Sequence, residues 1–142
     1  MVLEVNQLTR IFDNQNGLKN VSFDAREGET IGLLGKSGSG KSTILRAIAG
    51  LDNGYTGEVL ISGESIDGPH PKVGVVFQEA RLFPWLTVLE NVTFTLKGNE
   101  ETNNKFARKL LKQVGLEGAE NLYIKELSGG MAQRVSIARA IV

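Results

Sequence analysis

Residues 35–42 of this chain read GKSGSGKS. This stretch matches the pattern G-x-x-x-x-G-K-S without a gap, and its glycines let successive backbone N–H groups turn inward towards one anion. A helix that begins directly after such a loop adds the positive end of its dipole. The spacing therefore predicts a loop that holds the phosphates of a nucleoside triphosphate.

The side chains of this loop have distinct predicted roles. Lys41 is expected to reach the outer phosphates, and Ser42 to supply a hydroxyl to a magnesium ion that bridges them. Thr43 can add a contact to the inner phosphate. The predicted nucleotide-binding residues of the loop are Gly35, Lys36, Ser37, Gly38, Ser39, Gly40, Lys41, Ser42 and Thr43.

The residues on both sides of the loop provide the context that the motif requires. Residues 30–34 (TIGLL) are almost wholly apolar, which predicts a strand covered on both faces. After the loop, apolar residues recur at helical spacing, at Ile44, Leu45, Ile48 and Leu51. A second buried strand is predicted at residues 73–77 (VGVVF), directly before Gln78. Strands that alternate with helices indicate an α/β fold.

Other segments are predicted from alternation and from turn residues. Three further strands are expected, at residues 2–5, 18–23 and 57–62. Residues 13–17 form a predicted turn between the first two of them. Residues 99–104 are polar and predict a loop, whereas residues 105–114 predict a helix with one apolar face. A last helix is predicted from near Ser128 to Val142.

The composition limits the possible partners. Sixteen basic and sixteen acidic side chains cancel, so no overall field favours nucleic acid. The absence of cysteine excludes disulfides and thiolate metal sites. The N-terminus lacks the pattern of a signal peptide, and no apolar run approaches the roughly 18 residues of a membrane-spanning helix. We expect a soluble chain, whose membrane role would come through a partner.

A second glycine cluster, LSGG at residues 127–130, precedes the predicted last helix. Ser128 is a natural N-cap, and an isolated S-G-G before a helix is usually only a capped turn. The same arrangement nevertheless offers free N–H groups, a hydroxyl and a helix N-terminus to an anion. A chain that already binds one triphosphate has little need of a second anion site, unless this site serves the nucleotide of another molecule.

The sequence LSGGMAQR, behind a GKSGSGKST loop and a glutamine at a predicted strand end, resembles the signature of the ABC-type ATPases. These are the nucleotide-binding subunits of ABC transporters, and the resemblance extends from Leu3 to Val142. It implies a P-loop NTPase (RecA-like) α/β domain with a mostly parallel sheet core, an N-terminal antiparallel β part and a helical signature subdomain. The implied single, incomplete domain covers residues 1–142. Its parts are a β part with the phosphate-loop core (about 1–80), the Q-loop and helical subdomain (about 81–130) and a helix that returns to the core (131–142).

The resemblance also implies roles for individual residues, with ATP and Mg²⁺ as the ligands. Lys41 and Gln78 would be catalytic, and Gln78 and Ser42 would contact the magnesium ion. Two domains would pair head to tail, so that the signature of one meets the γ-phosphate of the ATP bound to the other, through Ser128, Gly129 and Gly130. Phe12 would place its ring against adenine; the alternative is an ordinary core residue at a strand end.

Two kinds of protein partner are implied by the resemblance. A second ATP-binding domain would form a homodimer with this chain, and transmembrane permease subunits would contact a surface between Arg81 and Val92. Plain core packing is the alternative role for Phe83 and Trp85. Met131 and the segment LFPWLTVLENV are similar to the branch of nitrate, sulfonate and taurine importers. The protein would then energise the import of a small anionic solute, and would lie in the cytoplasm on the inner face of the cell membrane.

The family pattern continues, after a helix like residues 134–142, with an apolar strand that ends in the Walker B aspartate and the catalytic glutamate. Neither feature occurs in residues 1–142, so the general base of hydrolysis is missing from them. The domain would thus lack its C-terminal part. We expect residues 1–142 alone to aggregate readily and to hydrolyse ATP no faster than a Lys41→Ala variant.

Two alternative functions remain open. A non-hydrolysing nucleotide-binding remnant would carry the same loop, and so would a soluble ABC-type ATPase that has no role in transport. Relatives that act in DNA repair or on chromosomes are disfavoured, because they insert long coiled coils between the phosphate loop and the signature. The spacing between Lys41 and Ser128 leaves no room for such an insertion.

Overall fold

The computed structural model describes residues 1–12 and 16–142 of the chain. These residues form two compact units, Met1–Val73 and Gly74–Val142, which we call the β unit and the helical unit. The turn predicted at residues 13–17 falls mostly on residues outside the described ones. The predicted division at about residues 80 and 130 stays a prediction.

The described residues of the β unit form an antiparallel sheet and one helix, α1 (Lys41–Ile48). The strands are β1 (Leu3–Ile11), β2 (Gly17–Ala25), β3 (Thr56–Ile61) and β4 (Glu64–Ser65), in the order β2-β1-β3-β4. The three longer strands overlap the three that alternation predicted at residues 2–5, 18–23 and 57–62. The predicted N-terminal antiparallel part is therefore confirmed.

One face of this sheet forms the core of the β unit. Val5 lies opposite Phe23 on β2 and opposite Val59 on β3, and both valines are almost completely buried. Helix α1 adds Ile44 and Ala47 to the same core. Each buried side chain of valine or isoleucine size contributes about 1.5–3 kcal/mol. This packing ties α1, and with it the glycine-rich loop before it, to the sheet.

The helical unit consists of three α-helices: α2 (Val88–Thr93), α3 (Glu100–Gln113) and α4 (Gly129–Ile141). A short 3₁₀ turn at Ile124–Glu126 precedes α4. The core residues of this unit that are completely buried are Val88, Val92, Ala107, Leu111, Val135 and Ala138. Across residues 1–12 and 16–142, no helix has both the length and the apolar character that a membrane crossing requires.

Helix α3 begins earlier than the sequence predicts. Its first residue is Glu100, so the prediction of a loop over residues 99–104 is wrong beyond Asn99. The reason is an N-cap: the Asn99 side chain accepts a hydrogen bond from the N–H of Thr102 at 3.0 Å. Glu100 and Glu101 then lie in the first turn, where acidic side chains favour the helix dipole.

The two predicted buried strands, residues 30–34 and 73–77, are not formed within the described part of the chain. Leu34 is 97% exposed, and Val75 and Val76 are also exposed. A strand exists only where its N–H and C=O groups find a ladder partner, and neither segment pairs with a described strand. The parallel part of the predicted sheet is therefore absent among the described residues, and the sheet that forms is wholly antiparallel.

Candidate nucleotide-binding site

The glycine-rich loop has the backbone conformation that its sequence predicts. Gly38 and Gly40 have φ angles of 80° and 94°, in the left-handed region that favours glycine. Gly40 is also the N-cap of α1, and a Cβ there would overlap the side chain of Leu18. A Cβ on Gly35 would overlap the hydroxyl of Ser39. The loop therefore needs glycine at these positions to begin the helix and to keep its interior open.

Lys41 lies across the inside of the loop. Its Nζ donates hydrogen bonds to the main-chain oxygens of Gly35 and Lys36, both at 2.8 Å, and to Oγ of Ser39 at 3.3 Å. Because Lys41 is also the first residue of α1, its charge lies beside the positive end of the helix dipole. Positive charge and helix N–H groups thus converge on one point, which is the arrangement that binds phosphate.

A cavity of about 590 Å³ opens beside the loop within the β unit. It is lined by Phe12, Asn16, Gly17, Ser37, Gly38, Gly40, Lys41, Ser42 and Thr43. Seven of these nine residues are predicted nucleotide-binding residues. Of the other predicted residues, Gly35, Lys36 and Ser39 lie in the loop but do not line the cavity. Sequence reasoning missed Asn16 and Gly17, because the only local signal there is a turn and not a binding motif.

Phe12 lies at the edge of this cavity with 41% of its surface exposed. The guanidinium of Arg10 is 4.8 Å from the centre of the Phe12 ring, within the range of a cation–π contact. Arg10 is held in turn by Asp52, whose Oδ2 accepts a hydrogen bond from Nε at 3.1 Å. A Cβ on Gly54 would overlap the guanidinium, so Gly54 leaves the room that Arg10 occupies. The Phe12 ring is thus contacted by Arg10 of β1 and is not buried in the core.

The second glycine cluster lies in the helical unit, at the start of α4. Oγ of Ser128 accepts the N–H of Met131 at 3.2 Å, so the predicted N-cap is confirmed. Gly129 and Gly130 are exposed, and a Cβ on either would meet nothing within 4 Å. The packing of this chain therefore does not require glycine at either position.

Gln78 is exposed and follows residues 73–77 in the helical unit. Its neighbours are held by α4: Nε2 of Gln133 donates to the carbonyl of Phe77 at 2.9 Å. The guanidinium of Arg139 donates to the carbonyls of Ala80 and Arg81, at 3.2 and 3.0 Å. Burial lowers the pKa of Arg139, which nonetheless stays charged because an arginine pKa is so high. The two predicted magnesium contacts, Ser42 and Gln78, belong to the β unit and the helical unit respectively.

A protein-only metal centre is not found among the described residues, where no three His, Asp or Glu side chains come together. The donor set at the loop is different in kind, because it has one hydroxyl, from Ser42, beside the N-terminus of α1. This set fits a magnesium ion that takes most of its ligands from phosphate and water.

A family profile described as ABC transporter matches residues 18–142. The chain belongs to the ABC transporter family. The aliphatic sulfonates import ATP-binding protein SsuB of Bacillus cereus (strain ZK / E33L) is 44% identical over the whole of this chain. An ABC transporter ATP-binding protein of Methanocaldococcus jannaschii, described as uncharacterized, is 48% identical over 98% of the chain. The resemblance to the sulfonate-importer branch is thereby confirmed.

Solved structures of ABC cassettes share the fold. A dimeric ATP-binding cassette in a post-hydrolysis state, bound to ADP and Pi, matches 98% of this ABC chain and 68% of its own, with a TM-score of 0.86 and 36% identity. The protein cbiO1 of Clostridium perfringens, part of an ABC transporter complex, matches 99% of this chain and 61% of its own, with a TM-score of 0.85 and 27% identity. The chain spans 58% of the Bacillus relative and 55% of the Methanocaldococcus relative. The α/β class of an ABC cassette is confirmed by these matches.

Proposed function

We propose that this ABC protein is the ATP-binding subunit of an importer, and that it binds and hydrolyses MgATP in a head-to-tail pair of identical chains. The observation that carries the proposal is the loop at residues 35–42. There two left-handed glycines, the ammonium of Lys41 and the start of α1 converge on one cavity. The bound nucleotide of a solved relative supports ATP or ADP as the occupant.

The binding step follows from groups in this loop. The main-chain N–H groups of the loop and the dipole of α1 attract the phosphates. Lys41 can exchange its hydrogen bonds with the carbonyls of Gly35 and Lys36 for bonds to phosphate oxygens, because an ammonium group rotates its three donors freely. Ser42 would hold the magnesium ion, which neutralises charge on the phosphates when bound. The proposed catalytic residues of this chain are Lys41 and Gln78.

The proposal of a head-to-tail pair rests on the start of α4. Exposed N–H groups, the Ser128 hydroxyl and the helix dipole make an anion site there, and α4 is 13 residues long. Gly129 and Gly130 leave this site open, although the chain's own packing does not need them to be glycine. A γ-phosphate brought by a second chain would therefore have room to approach. The dimeric structures of relatives support this assembly.

An exposed aromatic surface supports a permease partner. Phe83 packs against Trp85 and Phe94, with ring centres 5.5 and 4.5 Å apart, and Trp85 is 69% exposed. Core packing therefore does not account for Trp85, which lies in the predicted contact between Arg81 and Val92. Large exposed aromatic groups of this kind are typical of protein interfaces. Docking there would place the subunit on the cytoplasmic face of the cell membrane, and the named relatives favour an aliphatic sulfonate as the imported anion.

A mixed-dimer experiment tests the proposal with the full-length gene product. Two differently tagged chains carry Lys41→Ala and Ser128→Ala, and ATP hydrolysis of the purified heterodimer is compared with that of each homodimer. In a head-to-tail pair both defects fall on one site, so about half of the sites stay intact and activity returns.

The matched control places both substitutions on one chain and pairs it with an unmodified chain. Each site then carries one defect, and activity should remain low. If each site lay within a single chain, the control heterodimer would keep one intact site and would be the more active of the two. That order of activities, or equal activity of the two heterodimers, would contradict the head-to-tail pair. Full turnover by the Lys41→Ala homodimer would contradict ATP hydrolysis at this loop.

A further inference from the structure

Helix α4 holds the segment around Gln78 on both sides. We call residues 77–81 the Gln78 loop. Gln133 donates to the carbonyl of Phe77, the residue before Gln78. Arg139 donates to the carbonyls of Ala80 and Arg81, the second and third residues after it. Among residues 1–12 and 16–142, no other hydrogen bond joins α4 to this loop, so these two side chains link the helix to the loop that carries Gln78.

The guanidinium of Arg139 binds the Gln78 loop and forms no salt bridge among the described residues. The described residues include no carboxylate within salt-bridge distance of its guanidinium, which is half-buried and gives two of its N–H groups to main-chain oxygens. The Phe83 ring lies 5.8 Å from Cζ and covers the same group. A buried guanidinium is costly unless it is hydrogen-bonded, so this geometry is specific and not a chance surface contact.

A contact between Phe77 and Arg81 joins the two ends of the Gln78 loop. Arg81 has a φ of 45°, which is unusual for a residue with a side chain and costs of the order of 1 kcal/mol. Its guanidinium lies 4.3 Å from the ring centre of Phe77, across the loop from Arg81. The hydrogen bond from Arg139 to the Arg81 carbonyl helps to hold this conformation. Gln78 therefore projects from a loop whose two ends are both restrained.

We infer that Gln133 and Arg139 are positioning residues, which set the place of Gln78 and link it to the start of α4. The inference rests on the proposed function, because it takes Gln78 as the group that contacts magnesium and the attacking water. An α-helix is stiff and rises about 1.5 Å per residue, so Gln133 and Arg139 lie roughly 7 and 16 Å along α4 from Ser128. A phosphate that binds at Ser128 and shifts α4 would therefore also move Gln133, Arg139 and the Gln78 loop.

The test is a double-mutant cycle in the full-length protein assembled with its permease. Arg139→Met keeps an unbranched, flexible stem, although a shorter one, and removes all the guanidinium donors. We expect kcat to fall about tenfold and the Mg²⁺ concentration for half-maximal rate to rise, while KM for ATP changes less than twofold. In a Gln78→Ala background the same substitution should cause no further loss, because it acts only through Gln78.

Arg134→Met is the matched control. Arg134 is on the same helix and donates to the carbonyls of Val114 and Gly115, at 3.1 and 3.3 Å, at the end of α3. Arg134→Met loses the same kind of hydrogen bond as Arg139→Met, but Arg134 does not hold the Gln78 loop. Its effect on kcat should be small and identical with and without Gln78. Arg139→Lys keeps the charge and the N–H donors of an ammonium group but loses the planar guanidinium, so it should recover part of the rate. It also serves as the test if Arg139→Met does not fold.

The outcomes separate the inference from the proposed function. An equal loss of kcat from Arg139→Met with and without Gln78 would overturn the inference, and so would a failure of Arg139→Lys to recover any rate. Normal turnover of Gln78→Ala would overturn it too, while leaving ATP hydrolysis at the loop intact. Turnover that survives Lys41→Ala would instead overturn the proposed function.

Discussion

Asn91 and Phe83 are joined by two reciprocal hydrogen bonds. The side-chain oxygen of Asn91 accepts the N–H of Phe83 at 2.8 Å, and its Nδ2 donates to the carbonyl of the same residue at 3.1 Å. Nδ2 also lies within hydrogen-bonding distance of the carbonyls of Leu86 and Thr87. Asn91 is completely buried. This one amide therefore holds the whole turn that presents Trp85 to solvent.

Replacing Asn91 should destabilise the protein strongly. In Asn91→Leu the N–H of Phe83 loses its partner inside the fold, which costs about 1–3 kcal/mol, and the leucine must also fit a polar site. The free energy of unfolding, measured in urea, should fall by about 2–4 kcal/mol. Asn121→Leu, at an exposed position of the same unit, is the control and should change it by less than about 0.5 kcal/mol. Equal effects would contradict this role of Asn91.

Phe12 and Lys41 should contribute to different parts of the nucleotide. If the Phe12 ring contacts adenine, Phe12→Ala weakens ATP binding by roughly 2–10-fold, the equivalent of 0.5–1.5 kcal/mol of aromatic stacking. It should leave the affinity for tripolyphosphate unchanged. Lys41→Ala should weaken both ligands. Titration calorimetry with each ligand measures this, and a loss of tripolyphosphate binding in Phe12→Ala would argue against an adenine contact.

Gly130→Ala should raise the thermal unfolding temperature of the protein and lower its ATP turnover. Alanine is favoured over glycine inside a helix by about 0.5–1 kcal/mol, and the new methyl group would meet nothing within the chain. In the proposed dimer it would enter the space of the partner's γ-phosphate. Thermal unfolding should shift upward while ATP turnover falls. Gly68→Ala, also in open space, is the control for turnover, and equal activity of the two variants would show that Gly130 does not face a phosphate.

Trp85→Ala should affect assembly more than stability. The ring is largely exposed, so its removal costs little core packing. Loss of an interface aromatic should reduce recovery of the permease in affinity purification, whereas ATP binding by the free subunit should not change. Phe106→Ala removes a partly exposed ring from α3 and is the matched control. Full permease recovery with Trp85→Ala would exclude this surface as the docking site.

Asp52 gives the stability of the protein a specific acid dependence. Its carboxylate accepts the N–H of Gly54 at 2.9 Å and the Nε of Arg10, and these bonds hold its pKa below the usual value. The stabilisation is fully present above the unfolded-state pKa of about 3.9 and is lost as the pH falls through the lower folded-state pKa.

Asp52→Asn should therefore unfold at a lower temperature than the unmodified protein at pH 7, and the two unfolding temperatures should converge as the pH falls below the lowered folded-state pKa of Asp52. Asp24→Asn, at an exposed position on β2, is the control and should follow the unmodified protein at every pH. If the difference between the unfolding temperatures of Asp52→Asn and the unmodified protein stays constant as the pH falls, the charge of Asp52 does not stabilise the fold.

Features that depend only on neighbouring residues can be predicted from the sequence of this protein. The loop at residues 35–42 needs glycine at left-handed positions and a lysine at the first residue of α1, and all of these are local requirements. The Ser128 cap of α4 is equally local. The start of α3 was within reach of the same reasoning, because Asn99 is an N-cap with acidic residues after it.

Contacts between residues far apart in the chain become visible only in the folded structure. An apolar run such as residues 30–34 or 73–77 is a strand only if a partner strand supplies its hydrogen bonds, and the run itself carries no information about that partner. Asn16 and Gly17 join the cavity because β1 and β2 pair. Gln133 and Arg139 hold carbonyls 56–59 residues away, and no spacing rule connects a side chain to a main-chain oxygen at that distance.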